Sequence, residues 1–250
     1  MIWKWASASV VGTSHIRSGT KLQDAYAVTQ INDSIVFAVV SDGAGSAQFG
    51  QYGAWITCRY LKNRFREWLK NNQNLNLPSD EELIDWVDEL RDLIFSIATR
   101  RRSMPRQFAA TLAVIVISSE EVMTLHVGDS AIVGRQGNEW DVLCWPENGE
   151  YASTTYFITD SPEPRLNIKR QPRIYDAFAL FSDGVGEFAL SQNEQKAYSR
   201  FFEPMLRPVD NTIGEGRLIP LSIQLATYLN SASVCERTDD DKTLILISGR

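Results

Sequence analysis

Cysteine and histidine are scarce in this chain, at three and two among 250 residues. Cys58, Cys144 and Cys235 lie far apart with no Cys-x-x-Cys pair, which excludes a zinc ribbon and a disulfide framework. Cys58 falls in a helical apolar stripe and Cys144 in a strand-like run, so both are expected as small core residues. Basic runs are missing apart from Arg100-Arg101-Arg102, and the net charge is −6. That balance argues against a nucleic-acid partner. The arginine triplet closes a predicted helix, where cations suit the carboxyl-terminal dipole. No stretch approaches the roughly 18 apolar residues of a membrane span, and Met1-Ile-Trp-Lys-Trp lacks the apolar centre of a signal peptide. A soluble, cytoplasmic protein without a membrane partner is expected. Repeats and low-complexity linkers are also missing, so residues 1–250 read as one domain. The length suffices for one large core, and 44% hydrophobic content supplies it.

Against these absences, one pattern occurs twice. The run Val36-Phe37-Ala38-Val39-Val40 stops at Ser41-Asp42-Gly43, and Ala177-Phe178-Ala179-Leu180-Phe181 stops at Ser182-Asp183-Gly184. Such uninterrupted runs read as strands buried on both faces. The glycine after each aspartate is expected to permit a sharp turn and a close approach to the backbone. Asp239-Asp240-Asp241, just before the strand-like run 243–248, delivers acid at a third strand end. Asp-Gly is also ordinary turn chemistry. Three acids carried to the ends of core strands point beyond it, to a divalent-metal site on a rigid scaffold.

Elsewhere the periodicity predicts an opening strand over 3–11, and paired strands at 25–31 and 35–41 joined by Asn32-Asp33-Ser34. An amphipathic helix over 48–70 carries Ala54, Cys58, Leu61, Phe65 and Trp68, and the polar stretch 71–76 follows it. A second helix over 80–100 begins with the capping box Ser79-Asp-Glu-Glu82. Strands follow at 109–118, 122–128, 130–135 and 139–144, then an irregular excursion over 146–170, helices near 184–202 and 219–231, and a closing strand at 243–248. Short turns between strands and a helical hairpin make this an α+β chain with antiparallel sheets. Two strong amphipathic helices and two later ones imply a four-layer α-β-β-α sandwich, with helix pairs outside two sheets.

The motifs Gly12-Thr-Ser-His15, Gln23-Asp24-Ala25-Tyr26, Ser41-Asp-Gly-Ala-Gly-Ser46, Ala109-Ala-Thr-Leu112, Val127-Gly-Asp-Ser130, Ser182-Asp-Gly184 and Asp240-Asp-Lys-Thr243 occur in this order. Together they resemble the metal-dependent (type 2C, PPM) protein serine/threonine phosphatases, especially the compact bacterial branch. The likeness runs from about residue 8 to residue 248, and the family's sandwich agrees with the fold read above. It implies that Asp42 bridges two Mn²⁺ or Mg²⁺ ions, with the Gly43 carbonyl on one of them. Asp183 and Asp240 become ligands of the other ion, and the spacing of the family pattern to Thr243 selects Asp240 over its acidic neighbours. Asp24 matches an acid that acts through metal-bound water, and Asp129 one that recruits a third ion. Hard cations prefer such oxygen donors. The implied reaction is direct hydrolysis of phosphoserine or phosphothreonine on proteins by metal-bound hydroxide, in a signalling pathway with a cognate kinase.

The chain departs from the family in three places. Gly19 stands where many members carry a phosphate-gripping arginine, leaving Arg17, Lys21 and His15 as candidate phosphate contacts. Ala44 replaces the histidine of Asp-Gly-His, and Gln23 replaces the usual glutamate. His126, inside a strand run, is expected to be structural. Tyr156-Phe157 after Thr154-Thr155 is a candidate flap beside the site. Two rival readings remain: a catalytically weak or silent phosphoprotein-binding module of the same fold, and a hydrolase of small phosphate esters.

Overall fold

The computed structural model describes residues 3–32, 35–72, 77–148, 155–191 and 194–250. From the amino end the elements run β1 (Lys4–Val10), α1 (Thr13–Ser18), β2 (Ala25–Asn32), β3 (Ile35–Ser41), α2 (Gly50–Asn71) and α3 (Asp80–Arg100). After a 3₁₀ turn at Pro105–Phe108 come β4 (Leu112–Ile117), β5 (Glu121–Val127), β6 (Ala131–Gln136), β7 (Glu139–Cys144), β8 (Asn167–Pro172) and β9 (Ala177–Phe181). The remainder holds α4 (Asp183–Ala189), β10 (Leu190–Ser191), β11 (Lys196–Ala197), α5 (Ser199–Asn211), β12 (Gly216–Arg217), α6 (Ile219–Leu229), α7 (Ala232–Cys235) and β13 (Lys242–Ser248). No helix among the described residues is long and apolar enough to cross a membrane.

These elements form two compact units. One comprises residues 23–129 and 147–173, the other residues 1–22, 130–146 and 174–250. In the first, an antiparallel five-stranded sheet has the order β2-β3-β4-β5-β8. Alternation along β3, β4 and β5 sends Phe37 and Val39, Val114 and Val116, and Met123 and Leu125 to one face. There they meet Ala54, Leu61 and Phe65 of α2 and Leu83, Trp86, Leu90 and Ile94 of α3. The helix pair therefore covers one face of this sheet. The intervening Val36, Ala38, Val40, Ala113 and Ile115 are also fully buried, as the uninterrupted apolar runs predict. The capping box at Ser79 forms as expected, with its hydroxyl accepting from Glu82 and the Glu82 carboxylate accepting from the Ser79 N–H.

In the second unit a six-stranded sheet has the order β12-β1-β13-β9-β6-β7. It is antiparallel except for the short parallel β1–β12 pair. Small residues face large ones across the register, with Ala6 opposite Leu246, Ala8 opposite Leu244 and Ala179 opposite Leu246. These side chains pack against Phe202, Leu206 and Val209 of α5 and Leu225 and Leu229 of α6. Arg135, only 2% exposed, sits next to last in β6 within an ion-paired network. Its guanidinium donates to Asp176 at 2.9 Å and to Asp210 at 2.8 Å. Lys4 donates to the Asp210 and Thr212 carbonyls, and Ser248 to the Asp210 carboxylate.

Several expectations need correction. The region 184–202 is not one helix. It divides into α4, the β10–β11 hairpin and the start of α5, which continues to Asn211 through Pro204 and Pro208. The buried stripe Phe202, Leu206, Val209 holds α5 together despite two proline breakers. The excursion over 146–170 ends in a strand, β8, which begins at Asn167. Neither Gly43 nor Gly184 has a left-handed backbone, so the sharp-turn role expected of them is not the operative one. The turn residues Asp33 and Ser34, residues 73–76 of the polar stretch, and Thr154 lie outside the described residues.

Candidate active site

Both Ser-Asp-Gly corners are locked to a threonine, Thr111 immediately before β4 and Thr243 in β13. At the first, the Ser41 hydroxyl donates to the Thr111 carbonyl at 2.6 Å. The Asp42 N–H donates to Thr111 Oγ1 at 2.9 Å, and the Thr111 N–H to the Asp42 carbonyl at 2.8 Å. At the second, the Ser182 N–H donates to the Thr243 carbonyl at 3.2 Å, and the Thr243 N–H to Ser182 Oγ at 3.0 Å. The glycines are required by crowding. A Cβ on Gly43 would sit 2.3 Å from the Gly50 carbonyl oxygen, and one on Gly184 only 2.1 Å from that of Asp241.

In the first unit, Asp129 follows β5 at a corner where Gly128 has φ +99°. Its carboxylate accepts a hydrogen bond from the Thr155 hydroxyl. Carboxylate oxygens of Asp42 and Asp129 lie within 4.8 Å of each other. Two carboxylates this close repel when ionised, and an all-oxygen donor set suits a hard divalent cation. Asp24 is buried at the entrance to β2. The Cys58 thiol is pushed far up, first by burial and then by the charge of Asp24. Cys58 is therefore an inert core thiol, as expected. Gln23 is buried, and its amide reaches toward the Ala47 carbonyl at 3.4 Å.

In the second unit, Asp183 opens α4, and Asp183 and Asp240 line one cavity of about 350 Å³. Of the three consecutive acids, Asp241 is buried and occupied, accepting from the Gly12 N–H at 2.6 Å and from His15 Nδ1 at 2.9 Å. Asp239 takes an exposed ion pair from Arg17 at 2.7 Å. Asp240 lines the cavity together with Asp183. His15 and Arg17 are drawn to these acids, whereas Lys21 is exposed on the connection after α1. His126 is buried in β5. Sequence reasoning gave Thr111 no role, although Ala-Ala-Thr-Leu was among its motifs. Its hydroxyl stands where an apolar strand begins, and that position was the available signal. Arg237, in the wall of the Asp183 cavity, carried no sequence signal.

The sequence matches the protein phosphatase 2C family over residues 11–230. It is 31% identical over 251 residues to serine/threonine-protein phosphatase 3 of Escherichia coli K12, with 98% of each chain covered. Among solved structures, a bacterial serine phosphatase superposes with a TM-score of 0.70 at 15% identity, covering 98% of this chain and 97% of that one. The serine/threonine phosphatase Stp1 from Staphylococcus aureus gives 0.66 at 17% identity, covering 99% and 95%. The catalytic domain of the serine threonine protein phosphatase PstP, in complex with two manganese ions, gives 0.64 at 15% identity, covering 99% and 98%. The fold is that of these phosphatases. The chain belongs to the protein phosphatase 2C family, the metal-dependent serine/threonine protein phosphatases, and is an enzyme of the phosphoric monoester hydrolase class.

Proposed function

We propose that residues 1–250 act as one catalytic domain that removes phosphate from serine and threonine side chains of proteins, and that Asp42, Asp183, Asp240 and Asp24 carry the reaction. The observation that carries this reading is the meeting of Asp183 and Asp240, from separate chain segments, on one cavity. In this reading Asp42 and the Gly43 carbonyl would hold divalent ions. Asp183 and Asp240 would hold a divalent ion, Asp129 would hold a further one, and Asp24 would act through water. Mn²⁺ or Mg²⁺ supplies the Lewis acidity that lowers the pKa of water and offsets phosphoryl charge.

The chain's own part is to hold the carboxylates in place. Thr111 holds both the N–H and the carbonyl of Asp42, and the Ser182–Thr243 exchange holds the residue just before Asp183. A preset acid needs little rearrangement when charge develops. Arg17, Lys21 and His15 are proposed phosphate contacts. The first and last must exchange Asp239 and Asp241 for the substrate. The substrates are phosphoproteins, made by a cognate serine/threonine kinase in a bacterial, cytoplasmic signalling pathway.

The decisive assay compares Mn²⁺-dependent turnover of a phosphothreonine peptide, a phosphotyrosine peptide and p-nitrophenyl phosphate. Preference for the phosphothreonine peptide supports the reading. Turnover of p-nitrophenyl phosphate alone would instead favour a small-ester hydrolase.

A further inference from the structure

Beside the cavity that holds Asp183 and Asp240 lies a larger one, about 520 Å³, between α4, α5, α6 and α7. Glu187 and Arg237 belong to the walls of both, so the two are contiguous. Their charges differ. Among the described residues, the smaller cavity is walled by Asp183, Glu187, Glu236, Asp239 and Asp240, with Arg237 as its cation. Among its described lining residues, the larger presents Arg200 and Arg237 against Glu187, over Tyr198, Phe201 and Tyr228. Neither arginine forms an ion pair among the described residues, whereas Arg135, Arg170 and Arg250 each take carboxylates.

We propose that this second cavity is a substrate subsite that takes an anionic side chain flanking the phosphorylated residue of the phosphoprotein. The inference rests on the phosphatase reading above and names the class of substrate within it. The volume falls within the roughly 300–1,000 Å³ usual for ligand sites. Guanidinium groups match carboxylate and phosphate oxygens in a planar, bidentate way. The aromatic rings offer an apolar strip for the methylene stem of the incoming side chain, and the tyrosine hydroxyls add donors. With a net charge of −6, the molecule as a whole repels acidic peptides, so a local basic cavity discriminates by position. Helices frame the subsite. The Tyr198 N–H is held by the Ala189 carbonyl at 2.8 Å, and the Arg237 N–H by that of Val234 at 3.0 Å.

The test uses the full chain with Mn²⁺ and a set of phosphothreonine peptides. Each carries Glu, phosphoserine, Ala or Lys within four residues of the phosphothreonine on either side. Kinetics are read as kcat/KM, and affinities by fluorescence anisotropy. At one or more positions Glu and phosphoserine should exceed Lys by about fivefold, mainly through KM, with the gap closing as salt rises. A larger effect of phosphoserine than of Glu marks a second phosphate as the natural occupant, and equal effects mark a carboxylate. Arg200→Glu should invert the order of the Glu and Lys peptides, an outcome that partial unfolding cannot produce. Equal values for all peptides with wild type, or an unchanged order with Arg200→Glu, overturns the subsite. If every peptide fails to turn over yet the anisotropy preference stands, the phosphatase reading falls and the subsite survives.

Discussion

The Asp42 and Thr111 side chains illustrate how single groups govern this molecule. Asp42→Asn removes one of two carboxylates whose oxygens lie within 4.8 Å. Mn²⁺ affinity should fall, and turnover should drop by orders of magnitude. The metal-free protein should melt at the same temperature as wild type or slightly higher, because repulsion is relieved. Stabilisation by added Mn²⁺ should shrink accordingly. Melting curves with and without Mn²⁺, together with titration calorimetry, read each quantity; unchanged metal binding would show that the site is misplaced. Thr111→Val keeps the shape but deletes the acceptor for the Asp42 N–H. A loss of about 1 kcal/mol is expected in chemical denaturation, the cost of a partly buried donor left unmatched. Turnover should fall with it, because the Asp42 backbone loses one of its two fixings. Asp42 and Asp183 stand out in the sequence because each ends an apolar run. The threonine does not, since nothing in a lone Thr distinguishes a clamp from an ordinary strand residue.

Among the elements, those with a strong period were readable and those held by specific contacts were not. The helices α2 and α3 and the strands β3, β4, β9 and β13 follow directly from apolar spacing. Strand β8, Asn-Ile-Lys-Arg-Gln-Pro, has a single apolar residue, Ile168, packed against the core. It is an edge strand fastened by charge, with Arg170 donating to Asp80 at 2.7 Å and to the Pro78 carbonyl. The Arg135 network is likewise invisible to hydrophobic patterning and makes a pH prediction. Burial alone would raise the Asp210 carboxyl, but hydrogen bonds from Arg135 and Ser248 outweigh it and hold the group below its ordinary range. A depressed folded value gives stability that is present above the unfolded pKa of about 3.9 and is lost as pH falls through the folded value. Asp210→Asn should therefore lower the melting temperature at pH 6–7, and the gap to wild type should narrow below pH 4. A gap independent of pH would mean that packing, not charge, accounts for the loss.

For the whole molecule, the α+β class, the antiparallel sheets and the family were legible, because seven short motifs keep their order across nearly the full length. The partition into units built from interleaved segments was not, since sequence order does not reveal which strands share a sheet. Family membership carries a global expectation: EDTA should abolish turnover and added Mn²⁺ or Mg²⁺ should restore it. Full activity after exhaustive chelation would sink the metal-dependent reading.

The position of β13 in its sheet has a consequence in time. This strand is the last element of the chain, yet it lies between β1 and β9 and pairs with both. A ribosome emits β1 more than two hundred residues before the strand that must sit beside it. Until residues 242–248 emerge, β1 lacks its antiparallel neighbour and the Ser182 corner has no Thr243 to grip. The other unit ends at residue 173 and needs nothing downstream to complete its sheet. Synthesis should therefore yield a finished five-stranded sheet while the six-stranded one is still open. The second set of acids would then be assembled only with the closing strand. Pulse-labelled hydrogen exchange on stalled chains should show Phe37 and Val114 protected before Ala6 and Leu180, and activity should appear only after the carboxyl-terminal strand has been released.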